Sequence, residues 1–278
     1  MKLSVLLDNN TLIDRYFLGE PGVSYFLQAD GQKVLFDAGY SDAFIRNAHK
    51  LGIDLLDLDY VVLSHGHLDH TWGLAALVRH FAGARSEKRD VKRPRLVAHP
   101  QSFCPRVDKH GVATGSLLGL AELGEYFELD LCRERRFLSE NLVFLGEISR
   151  ETDFEAREPV GKIRVEGIEQ DDYVLDDSAL AYRSQYGLVV VSGCSHSGIC
   201  NIIRQAQRVC GQERILDVIG GLHLMGPESV QLLRTVDFFK KLMPDSLHAC
   251  HCTDLNARIA LSGAAGLKEV GVGLELQY

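Results

Sequence analysis

Three observations predict an α/β protein. In the second half of the chain, three apolar strand-like runs each pass through a short polar loop into a stretch with helical periodicity. The first forty residues instead alternate short apolar runs with turn residues. The chain also has 278 residues and 46% hydrophobic content, enough to bury the core of a layered α/β domain.

Taken in order, Leu3 to Leu7, Val23 to Leu27 and Lys33 to Phe36 read as strands, and Ala29-Asp30-Gly31-Gln32 as a hairpin turn. Residues 42–51 read as a helix with Phe44, Ile45, Ala48 and Leu51 on one face. Asp59 to Leu63 is a buried strand, and Trp72, Leu74, Leu77, Val78 and Phe81 then recur at helical spacing. Residues 83–95 read as a polar loop and Leu96 to Ala98 as a short strand. From 101 to 140 glycines interrupt every pattern, so an irregular cap or insert over about 83–140 is expected within one domain spanning 1–278. Strands return at Leu142 to Leu145, Ile163 to Val165 and Ala179 to Tyr182. The three strand-then-helix units are Leu188 to Val191 with a helix from Ile199, Ile215 to Ile219 with a helix over 228–242, and Ser246 to Ala249 with a helix near 254–262.

The net charge of −8 argues against a nucleic-acid surface, because phosphate backbones attract basic stripes. One basic cluster stands out: Arg85, Lys88, Arg89, Lys92, Arg93 and Arg95. It reads either as a solvated loop or as a rim that draws anions toward an active site. The apolar run at the N-terminus is too short for a signal peptide or a membrane span. Seven cysteines without a secretion signal read as reduced thiols, so a cytoplasmic protein without a membrane partner is expected.

The chemistry concentrates in Ser64-His65-Gly66-His67-Leu68-Asp69-His70. Three imidazoles and a carboxylate within six residues, after a buried strand, suit a divalent transition metal. The alternative is a His-rich surface loop. Each later strand–helix unit adds one histidine at the same topological point: His196, His223 and His251. Loops after the C-terminal ends of strands share one edge of an open α/β sheet, so the six rings can meet in one cleft. His49 and His80 read as exposed helix positions, His110 and His248 have no pattern around them, and His99 is a candidate to line the cleft. Two metals could clamp one phosphoryl or acyl oxygen and lower the pKa of water towards about 7. Asp69 could serve both as ligand and as proton acceptor.

The string His65-x-His67-x-Asp69-His70 after a hydrophobic strand resembles the signature of the metallo-β-lactamase superfamily. Leu35-Phe36-Asp37-Ala38-Gly39 resembles an early strand of that fold. Asp8-Asn9-Asn10, Asp176-Asp177-Ser178-Ala179-Leu180, Gly193-Cys194-Ser195-His196, Gly220-Gly221-Leu222-His223 and Cys250-His251-Cys252-Thr253 resemble its dihydropterin-synthase branch of the methanopterin pathway. The resemblance implies an αβ/βα four-layer sandwich with two divalent ions at one edge, zinc first and manganese or iron as alternatives. It implies one ion on His65, His67 and His196, and the other on Asp69, His70 and His251. The superfamily usually bridges both ions with an Asp in a Gly-Asp pair. Here Cys194 follows Gly193, so either its thiolate bridges, or His196 shares that role, or no protein group does. His223 exceeds the usual ligand count and is placed as a substrate-contacting or proton-transferring group, making Asp69 and His223 the candidate catalytic pair. Asp37 and Asp8 are expected to orient ligating imidazoles. Cys250 and Cys252 flank His251, and in an extended loop both would point away from the site.

Three functions remain open on these residues. The first is a dihydropterin-synthase-type enzyme acting on a phosphorylated, anionic small molecule. The second is a metal-dependent hydrolase of a phosphoester, cyclic phosphate or lactone. The third is a metal-binding sensor without turnover. A diiron redox role fits less well, since that variant has Glu where this chain has His67.

Overall fold

The structure, a computed structural model, describes residues 1–226 and 230–278. Strands β1 (Lys2–Leu7), β2 (Ser24–Ala29) and β3 (Gln32–Phe36) precede helix α1 (Ala43–Lys50). Asp30 and Gly31, with φ of 50° and 81°, make the tight β2–β3 turn. Next come β4 (Tyr60–Val62), a single-turn helix α2 (Leu68–Thr71), α3 (Gly73–Ser86) and β5 (Arg95–Ala98). The stretch that sequence patterns left illegible contains β6 (Arg106–Asp108), α4 (Leu120–Gly124), β7 (Glu128–Leu131) and β8 (Arg136–Phe137). Then follow β9 (Leu142–Phe144), β10 (Gly161–Val165), β11 (Ile168–Asp172), β12 (Ala179–Ser184) and β13 (Gly187–Ser192). The chain finishes through α5 (Ile199–Cys210), β14 (Ile215–Gly221), α6 (Val230–Leu242), β15 (Ser246–Cys250), α7 (Leu255–Ser262) and β16 (Glu275–Gln277). Residues 228–229 of the expected 228–242 helix lie outside the described residues.

One sheet has the order β16-β1-β2-β3-β4-β5-β7 and a second the order β15-β14-β13-β12-β9-β8. A third, small sheet runs β11-β10-β6. Strand alternation explains the layering, because successive side chains face opposite sides. In β13, Val189 and Val191 join an inter-sheet core with Tyr25, Leu27, Phe36 and Val62, whereas Leu188 and Val190 pack with Ile202, Ile203 and Phe239 of α5 and α6. On the far face of the first sheet, Phe26, Leu35 and Val61 pack against Phe44 of α1 and Leu74, Leu77 and Phe81 of α3. Helices, sheet, sheet, helices: this is the four-layer αβ/βα sandwich that the resemblance implied.

The basic cluster lies far from the position that would make it a rim. Arg95 pairs in register with Tyr60, the first residue of β4, while the His-rich loop leaves the last residue of that strand. The cluster is at the opposite edge, and two of its cations are paired: Lys92 with Asp59 at 2.5 Å and Arg95 with Glu128 at 2.9 Å. The solvated-face alternative holds.

Candidate metal centre

β3, β4, β5 and β7 run parallel, as do β13, β14 and β15, so their C-terminal ends fall at common edges. The loops after β4, β13, β14 and β15 carry His65, His67, Asp69, His70, His196, His223 and His251. All seven meet where the two edges adjoin. His65 Nε2 lies 2.9 Å from His67 Nδ1, which lies 3.1 Å from His196 Nε2. His251 Nε2 and His70 Nε2 lie 3.4 Å and 3.7 Å from Asp69 Oδ2. His99 instead caps a short 3-10 turn by accepting from Gln101 N, and His248 pairs with the buried Asp217.

Three imidazole nitrogens cannot satisfy one another with protons at these separations without crowding like dipoles. Around one cation they fit: a tetrahedral site with metal–nitrogen bonds of about 2.0–2.1 Å sets neighbouring ligands roughly 3.3 Å apart. His70 Nε2 is fully buried and has no hydrogen-bond partner among the described residues, although its other nitrogen does. That is the condition of a ring whose free lone pair awaits a cation. The donor set therefore fits two divalent ions.

Local structure aims these groups. Asp37 Oδ2 accepts from His70 Nδ1 and from Ser64 Oγ, which in turn contacts His65 Nδ1 at 2.9 Å. One carboxylate thus fixes two rings with Nε2 facing the centre. Asp8 behaves differently from expectation. Its Oδ1 accepts from the backbone N–H of His251, and the His251 ring is instead held by Asn9, Nδ1 to Oδ1 at 3.2 Å. Asp8 sits directly after β1 and so points at the backbone of the adjoining loop; Asn9, one residue further on, reaches the ring.

Sequence reasoning gave Asp176 and Asp177 no role of their own, but they pin the two metal-bearing loops. Asp176 Oδ2 accepts from Gly66 N, between His65 and His67, at 2.7 Å, and Asp177 Oδ2 accepts from Ser197 N, beside His196, at 2.8 Å. Only their adjacency in the family-like string hinted at this. Gly193 is needed for contact: a Cβ there would lie 2.1 Å from Ser64 Oγ and 2.6 Å from Asp37 Oδ2. Asp37, Ser195, His223 and His251 all adopt left-handed backbone, with φ of 58°, 61°, 49° and 51°. Such conformations are costly for non-glycine residues and collect at sites held by surrounding structure.

The left-handed φ of His251 also corrects the cysteine reading. The loop is not extended there, so the thiols do not both turn away. Cys250 does, reaching Tyr25 Oη at 3.3 Å in the core. Cys252 turns into the site, 3.0 Å from Cys194 Sγ and 3.2 Å from His223 N. Cys194 is central: its sulfur lies within 4.8 Å of ligand atoms of His65 and His196, and equally of His70 and His251. It stands between the two ligand groups. The same limit relates Cys194 to His223 and Cys252.

The electrostatics favour neutral rings at His65, His67 and His196 and, while no cation is bound, a protonated ring at His70. Burial lowers the pKa of His65 and His196 far below the usual value and that of His67 to about 3. Burial also opposes charge on His70, but the Asp69 and Asp37 carboxylates outweigh it and raise His70 to about 9. For Asp69, burial is outweighed by the His70 and His251 imidazoles, which hold its carboxyl well below the ordinary range. Burial likewise opposes the Cys252 thiolate, yet the contact with Cys194 and the His251 and His223 rings hold that thiol well below its ordinary pKa. A cavity of about 370 Å³ opens on His196 and His223 and is lined also by Arg157 and Tyr173.

A four-layer αβ/βα sandwich with this histidine–aspartate constellation at its edge defines a class, that of the metallo-β-lactamase fold, and the metallo-beta-lactamase superfamily model matches residues 18–92 of the chain. Among particular relatives, the chain is 28% identical over 272 residues to the 7,8-dihydropterin-6-methyl-4-(beta-D-ribofuranosyl)-aminobenzene-5'-phosphate synthase of Methanocaldococcus jannaschii, covering 92% of this chain and 89% of that one. An uncharacterized protein of the same organism is 29% identical over 269 residues, covering 94% and 93%. The crystal structure of Tm1679, a metal-dependent hydrolase of the beta-lactamase superfamily, superposes with a TM-score of 0.83 at 28% identity, over 100% of this chain and 99% of that chain. Among the described residues no helix is long and apolar enough to cross a membrane.

Proposed function

We propose that the protein is a dinuclear metal enzyme acting on a phosphorylated small molecule. The observation that carries this is the convergence of His65, His67 and His196 nitrogens at 2.9–3.1 Å beside a second group on Asp69 Oδ2. His65, His67 and His196 would hold one ion, and Asp69, His70 and His251 the other, with Cys194 sulfur between them. Sulfur in the set favours zinc or iron over manganese. Two divalent ions there would polarise a phosphoryl oxygen and stabilise a departing phosphate or diphosphate. The protein's own groups do the rest. Asp37 holds His65 and His70 in the tautomer whose Nε2 is free. Asp69 would serve as a ligand through Oδ2, which faces His70 and His251, leaving its other carboxylate oxygen as the proton acceptor. His223, with Nδ1 3.4 Å from Cys194 Sγ and its pKa raised, against burial, by the Cys252 thiolate, can deliver a proton at the open side of the centre.

The relative from Methanocaldococcus jannaschii favours a synthase that joins a pterin to a phosphorylated aromatic amine. A second reading, hydrolysis of a phosphoester, cyclic phosphate or lactone, is favoured by the likeness to the metal-dependent hydrolase Tm1679. Metal analysis of the purified protein, followed by assay on phosphomonoesters, phosphodiesters, lactones and pterin diphosphates, separates them. His67→Ala is expected to remove most metal and all turnover. His223→Ala is expected to keep metal and lower turnover by about 10²–10⁴-fold. Full metal and activity in His67→Ala would end the scheme.

A further inference from the structure

A second cavity, of about 390 Å³, has Trp72, Phe103, Arg106, Lys162 and Arg164 among its lining residues. Lys162 and Arg164 come from β10, the central strand of the small third sheet, and Arg106 from its neighbour β6. Trp72 is set rigidly. Its Nε1 donates to Gly115 O at 2.8 Å, and its ring stacks on Tyr40 with centroids 4.9 Å apart. Arg106 is only 3% exposed; its Nη1 and Nη2 lie 3.5 Å and 3.0 Å from the carboxylates of Asp172 and Asp176, and its Nε has no hydrogen-bond partner among the described residues. Three of the lining side chains are cationic and one, Glu169, is acidic. The cavity wall is tied to the metal loop twice. Trp72 follows His70 by two residues, and Arg106 Nη2 shares Asp176 Oδ2 with the N–H of Gly66.

We infer that this cavity is the subsite for the organic part of the substrate, and that it takes a planar aromatic group bearing an anion. A fixed indole face offers stacking at little entropic cost. A buried guanidinium with a free N–H is a strong partner for an oxyanion. Lys162 and Arg164 now contact Asp171 at 2.7 Å and Glu169 at 4.0 Å, but exposed pairs of that kind are weak and can be exchanged for a bound anion. The inference rests on the reading of the neighbouring metal centre as a site for phosphorylated small molecules.

Trp72 is the single tryptophan of the chain, so its fluorescence reports on this cavity alone. The zinc-loaded protein is titrated with phenyl phosphate, ethyl phosphate and phenol. Phenyl phosphate is expected to give a saturable change and to bind at least about tenfold more tightly than either of the others, as expected when stacking and ion pairing act together. The double variant Lys162→Ala/Arg164→Ala is expected to weaken phenyl phosphate by about tenfold and leave phenol unchanged. No saturable change, equal affinity for ethyl phosphate, or an unaltered double variant would overturn the inference. Turnover of phosphorylated compounds without any Trp72 response sinks the subsite but not the metal enzyme. A Trp72 response in a protein that turns over no compound sinks the enzyme, and the reading of the cavity as a substrate subsite falls with it, leaving only a ligand-binding cavity.

Discussion

At the level of single residues, the departure that matters most is Cys194 where the superfamily usually has a bridging aspartate. Its sulfur is fully enclosed and stands between both ligand groups. Burial raises the pKa of this thiol; beside two bound cations it would lose its proton and serve as a thiolate. Cys194→Ala is expected to cut bound metal from about two ions to about one, while Cys194→Asp restores two, measured by elemental analysis after dialysis. Equal metal content in wild type and Cys194→Ala would show that Cys194 does not bridge. Asn9 and Cys252 show how one residue's offset changes a role. Asp8 and Asn9 are neighbours, yet one holds the backbone of His251 and the other its ring.

Among elements, the loops after β4 and β13 are packed so closely that glycine at 193 is enforced by neighbours rather than by φ. An added methyl would displace Ser64 and Asp37, the groups that orient His65 and His70. Gly193→Ala is therefore expected to lower stability by roughly 1–3 kcal/mol and to weaken metal binding by about 10–100-fold. Thermal melts and competition with a chelator measure the two effects. Sequence patterns predicted β13, β14 and β15 well, since parallel strands buried on both faces read as continuous apolar runs. They missed β7, β11 and β16. β7 is the short, half-charged Glu128-Leu129-Asp130-Leu131, β11 is Ile168-Glu169-Gln170-Asp171-Asp172, and β16 is a three-residue edge strand. Such strands pair through backbone, so their side chains carry little pattern.

For the molecule as a whole, the centre links both sheets. His65, His67, Asp69 and His70 follow β4 of the first, whereas His196 and His251 follow β13 and β15 of the second. Ions bound there stabilise only the folded state, by about 4 kcal/mol at a thousandfold excess over Kd. Chelation is expected to lower the melting temperature, and an unchanged melt would argue against the site. The metal-free protein is also expected to have a stability maximum near pH 6.5. His67, lowered to about 3, takes up a proton in the unfolded chain first, so stability falls as the pH drops from 6.5 towards 3. His70, raised to about 9, contributes stability that is complete below pH 6.5 and lost as pH rises through 9. Loading with zinc is expected to abolish the alkaline fall, because His70 then binds through a neutral ring. Melts from pH 4 to 9 with and without metal test both limbs.

The order of residues alone carried the donor types and their topological address. Imidazoles and a carboxylate in one short string, and single histidines after later strands, are local features, legible because strand-end loops of an α/β sheet have one place to go. Orientation came from the packed fold: which nitrogen faces inward, which thiol turns toward the site, where the basic cluster lies. Those depend on the φ of single residues such as His251 and on contacts between residues more than a hundred positions apart, such as Asp176 with Gly66. No periodicity encodes them, because they are set by packing of one layer on another.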